Sequence, residues 1–139
     1  MKGIKTLIKL ARRELDELKR KQVALEQEKD KLEQAVVKLQ QELQREMKMA
    51  AENPHMGSFY GNFAKQNRER QQELQAEIKK VEAALLAMAE HIMEAFANVK
   101  KYEIAEENDR ARKRADAARR ENIEMDDMAA MQFIRQQKE

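Results

Sequence analysis

Cysteine and tryptophan are absent from this chain, proline occurs once, and only three of 139 residues are glycine. Without cysteine there is no disulfide framework and no thiolate metal site. Aromatic residues are 4% of the chain, too few for a compact globular core. No apolar run approaches the roughly 20 residues of a membrane span. The lysines at 2, 5 and 9 interrupt Ile4, Leu7, Ile8 and Leu10, so the start reads as a helix and not as a secretory signal. Hydroxyls are scarce as well: apart from the tyrosines only Thr6 and Ser58 carry one, and neither has a base near it in the sequence. A glycine-rich phosphate loop and a calcium-loop spacing are both missing. These absences exclude the common catalytic constellations, and the expectation is a protein that is not an enzyme.

What remains is helix-forming. Ala, Glu, Lys, Leu and Arg supply 79 residues, the composition of long helices or coiled coil. The breakers collect in one stretch, Asn53-Pro54-His55-Met56-Gly57-Ser58. Proline lacks the N–H that a helix interior needs and pushes its predecessor out of the α region, and glycine accepts positive φ. A turn over 53–58 follows, between a helix of about 3–52 and a second of about 59–136.

Hydrophobic spacing fixes how the two helices meet. Positions 4, 8, 11, 15, 18, 22, 25, 29, 32, 36, 39, 43, 46 and 50 keep an alternating 4–3 step, and eleven of these fourteen are apolar. Gln22, Lys29 and Glu46 are the exceptions. The same step from Leu74 runs through Ile78, Val81, Leu85, Met88, Ile92, Ala95 and Val99 to Tyr102. Its next members, Glu106, Asp109, Lys113 and Asp116, are all charged. Such narrow stripes on charged helices are coiled-coil seams. Folding the chain about Met56 sets residue i opposite 112 − i, so both seams end together near Ile4. The expected fold is all-α: one domain over 1–139, an antiparallel two-helix coiled-coil hairpin whose second helix overhangs at the open end, and monomeric.

Two regions stand apart. The run Asn67–Glu73 has no apolar residue although it faces Leu39 and Leu43, and Phe59, Tyr60 and Phe63 lie beside it. Either these aromatics fold over the leucines or a partner does. In the overhang, Arg110, Arg112, Lys113, Arg114, Arg119 and Arg120 stand against the single acid Asp116, followed by Met125, Met128, Met131, Phe133 and Ile134. A helix with little to bury is marginal alone, and methionine suits an adaptable contact surface. His91 and Glu94 share a face, but a carboxylate-bridged metal site needs further pairs on facing helices, so no metal and no cofactor is expected. Nucleic acid is not expected either: acids flank the arginines, and no aromatic is interleaved for base stacking.

The order long helix, turn, longer helix, with Ala95-Phe96-x-x-x-Lys100-Lys101-Tyr102-Glu103 at the seam end, resembles the FliJ family of flagellar type III export proteins. The stretch Arg119-Arg120-Glu-Asn-Ile-Glu-Met-Asp126-Asp127 is similar to the charged ending of that family. The injectisome counterpart shares the design, and a coiled-coil scaffold needs the same periodicity. The resemblance implies a cytoplasmic stalk-like protein, peripheral to the export apparatus at the inner membrane. Its implied partners are a hexameric export ATPase, the membrane-bound export gate and export chaperones. On this reading Lys2, Lys5, Lys9, Arg110, Arg112, Lys113, Arg114, Arg119, Arg120, Met125, Met128 and Phe133 meet the ATPase. Leu39, Leu43, Phe59, Tyr60 and Phe63 meet the gate.

Overall fold

The computed structural model describes residues 2–138, and the side chain of Lys2 lies outside the description. Two helices make up the fold, α1 over Lys2–Glu52 and α2 over Gly57–Lys138, in a helical hairpin. The reversal is tighter than the six residues expected. Asn53 leaves the helical region (φ −128°, ψ 86°), as a residue before proline must, and Pro54–Met56 form one 3₁₀ turn. Proline opens that turn, where its missing N–H is not needed. Gly57 is helical at φ −60° and ψ −33° and no residue among those described has positive φ, so the freedom of glycine is not used there. Asn53 closes the end of α1 twice over, its backbone N–H (3.1 Å) and its Nδ2 (3.3 Å) both donating to Met49 O.

The chain divides into two compact units, Glu14–Glu94 and Met1–Arg13 with Ala95–Glu139. The first contains the turn. Here Val36 packs against Leu74 and Ile78, with Leu32, Ala35 and Leu39 around them. The spaced positions of both helices are buried or half-buried here, except Glu46, which is exposed. Lys29, a charged member of the seam, reaches Glu33 (3.7 Å) on its own helix and Glu82 (3.6 Å) on α2. Its long stem covers the seam while the ammonium stays in water.

The polar run Asn67–Glu73 does not break the seam. Counted back from Leu74 in the same step, positions 71, 67, 64 and 60 are Gln71, Asn67, Ala64 and Tyr60, and all four are buried or half-buried. Asn67 is 5% exposed and donates through Nδ2 to Leu39 O at 2.9 Å. Gln71 donates to Asn67 Oδ1 at 2.6 Å. Asn67 and Gln71, and not the aromatics, therefore occupy the seam opposite Leu39.

The second unit contains both termini. Ile4, Ile8, Ala11, Ala95 and Val99 are buried, and Tyr102 is half-buried. The apolar seam ends at Tyr102 as the spacing indicates, but the covered face runs on: Glu106, Asp109 and Asp116 are half-buried. From 117 to 138 every residue is exposed.

Candidate partner-binding surfaces

In the terminal unit neighbouring acids of α2, two of them half-buried, hold most of the basic run. Glu106 pairs with Arg110, Asp109 with Arg112 (3.2 Å) and Lys113 (3.3 Å), and Glu107 with Arg114 (3.1 Å). Most of these are the three- and four-residue spacings that place side chains together on a helix. The Lys113 ammonium beside Asp109 holds its carboxyl below the ordinary aspartate range. Arg110 to Arg114 are thus balanced by their own helix. Arg119 and Arg120 are exposed and make no ion pair among the described residues. Lys5 and Lys9 are exposed on α1 in the same unit.

Beyond them the apolar side chains stay uncovered: Met125, Met128 and Phe133 are 61–66% exposed, with Ile123, Met131 and Ile134 close to those values. An apolar set of this size on a lone helix is the kind of surface that marks contact with another molecule.

Below the basic run lies a cross-helix fastening. Arg12 donates to Glu103 at 3.0 Å, and Lys100 reaches the other oxygen of Glu103 at 3.4 Å. Lys100 also stands 5.4 Å over the ring of Phe96. The Arg12 guanidinium, helped by Lys100, holds the Glu103 carboxyl below the ordinary glutamate range. The pattern Ala95-Phe96-x-x-x-Lys100-Lys101-Tyr102-Glu103 now has a physical content: Ala95 and Tyr102 pack in the seam, and Phe96, Lys100 and Glu103 build the fastening beside it.

At the turn the five expected residues separate into two groups. Leu39 packs with the Val36 core and Leu43 is half-buried. Phe59 is 72% exposed, while Tyr60 and Phe63 are half-buried. These aromatics, with Glu46, Met49, Ala50 and Met56, line a hollow of about 270 Å³. The methionines Met47, Met49 and Met56 are exposed here as well, apolar side chains that the seam spacing does not single out. Their spacing around the breaker stretch was the available signal.

No cluster of three or more metal-ligating side chains occurs among the described residues, and His91 is exposed. No helix among them is long and apolar enough to cross a membrane.

The sequence model of the family described as Flagellar FliJ protein matches residues 1–138. The chain belongs to the FliJ family. Neither a curated protein nor a solved structure matches it. Membership in the FliJ family makes this chain a component of flagellar export, ahead of the injectisome counterpart that the helical pattern alone allowed.

Proposed function

We propose that this FliJ-family chain is a non-enzymatic, stalk-like part of the flagellar export apparatus. On this reading it acts in the cytoplasm at the inner membrane, binds the hexameric export ATPase through its terminal unit, and meets the export gate near the turn. Export chaperones are further partners on the same reading. The observation that carries it is the stretch of α2 from 117 to 138, exposed throughout and dense in apolar side chains.

The two chemistries of that stretch divide the work. Arg119 and Arg120, with Lys5 and Lys9, attract an acidic surface and speed encounter, because exposed charges act on association more than on affinity. Met125, Met128 and Phe133 then lose water against the partner and slow dissociation, since buried aromatic and aliphatic anchors carry most binding energy. Arg112, Lys113 and Arg114 matter less to encounter, because Asp109 and Glu107 already offset them.

Affinity purification of the full chain from a lysate in moderate salt tests the assignment. Recovery of the export ATPase is the expected result. Recovery of nucleic acid, or of the chain alone, contradicts it.

A further inference from the structure

Glu46 occupies a seam position of α1 where the spacing favours an apolar side chain, yet it is exposed and makes no ion pair among the described residues. It stands at the hollow of about 270 Å³ formed with Met49, Met56, Phe59, Tyr60 and Phe63. The neighbouring cations face elsewhere: Arg45 and Lys48 line a separate depression with Gln41 and Gln44. The hollow is therefore apolar with one uncompensated carboxylate.

Those two properties define what fits. The space admits one large side chain, and methionine walls adjust to its shape. Seating an apolar group there strips water from Glu46, and a desolvated carboxylate is costly unless a cation or strong donor replaces the water. A purely apolar guest is therefore penalised, and an acidic one more so. We propose that the hollow takes a large apolar side chain of a partner protein together with a Lys or Arg on the same segment, the cation pairing with Glu46. The inference rests on the reading that the turn end meets the export gate, and adds the chemistry of the gate segment.

The test measures binding of the full chain to the purified cytoplasmic domain of the export gate, at low and high salt. The variants are Phe59→Ala, Glu46→Lys and Glu46→Gln, with helix content followed by circular dichroism. Phe59→Ala is expected to weaken binding about tenfold or more, as loss of a buried anchor does. Glu46→Lys is expected to weaken it comparably at low salt, with the deficit shrinking at high salt. Glu46→Gln is expected to lose less and to flatten the salt dependence; it decides the matter if Glu46→Lys loses helix.

Wild-type salt dependence in Glu46→Gln overturns the cation pairing, even if Phe59→Ala still loses binding and the gate reading stands. Full binding by Phe59→Ala overturns the proposal for the hollow while the gate reading stands, and no binding by the wild type overturns both. A dimer in sedimentation that Phe59→Ala dissociates assigns the hollow to a second copy and overturns the proposal.

Discussion

Asn67 of α2 donates a hydrogen bond to the backbone carbonyl of Leu39 in α1, 2.9 Å away, from a position that is 5% exposed. Carbonyls along a helix point toward its C-terminus, so that of Leu39 is directed at the turn, where Asn67 approaches from the opposite helix. The oxygen has two lone pairs and takes this bond in addition to its helical one. Gln71 then satisfies the Asn67 oxygen, which leaves no buried side-chain polar atom unpaired among the described residues.

This layer separates two substitutions. Asn67→Ala removes both bonds, opens space and strands the Gln71 amide, so it is expected to cost about 1–3 kcal/mol. Asn67→Leu replaces the polar group with an apolar seam residue and is expected to be neutral or stabilising, as exchange of buried polar groups for packed apolar ones often is. Urea denaturation followed at 222 nm checks both. A larger loss for Asn67→Leu than for Asn67→Ala would contradict the packing account.

The seam also ranks leucines that look alike in the sequence. Leu74 is 3% exposed in the Val36 core, whereas Leu86 on the same helix is 72% exposed. Leu74→Ala is expected to destabilise by about 2–4 kcal/mol. Leu86→Ala should stay within about 0.5 kcal/mol of the parent. Thermal or chemical denaturation of the pair checks the ranking.

Both helices, the place of the turn and most of the covered positions are legible in the sequence, because the 4–3 step is a direct consequence of helical geometry. Asn67 and Gln71 are not legible in it, because a seam is marked in a sequence by apolar residues alone. Their burial depends on partners, the Leu39 carbonyl and each other, that no local pattern announces. The covered acids Glu106 and Asp109 escaped for the same reason. A carboxylate on a covered face is tolerable once Arg110, Arg112 and Lys113 fold onto it, and that pairing changes which arginines remain available. The reversal is shorter than the breaker stretch implies because proline begins the next turn as well as ending α1.

The Arg12–Glu103 pair gives the terminal unit an acid-sensitive contact. The folded pKa of Glu103 is lowered by Arg12 first and Lys100 after it. A lowered folded pKa contributes stability above the unfolded value, about 4.3 for glutamate, and that contribution is lost as pH falls through the folded value. Stability is therefore expected to decline below about pH 4.3, and less steeply in Glu103→Gln, which has no proton to take up. Arg12→Gln should reproduce the shallower decline. Urea midpoints measured from pH 6 down to pH 3 check this, and parallel curves for all three proteins would contradict it.

The central claim, that the exposed end of α2 engages the export ATPase, is tested most directly by ATP hydrolysis. A chain ending at Asp116 keeps every covered position in the terminal unit and loses only the exposed stretch after it. Purified hexameric ATPase is assayed with the full chain and with this shortened one, at matched concentration and with helix content measured for each. The account predicts that the full chain raises the hydrolysis rate and that the shortened chain, still helical, does not. Equal stimulation by the two chains contradicts it.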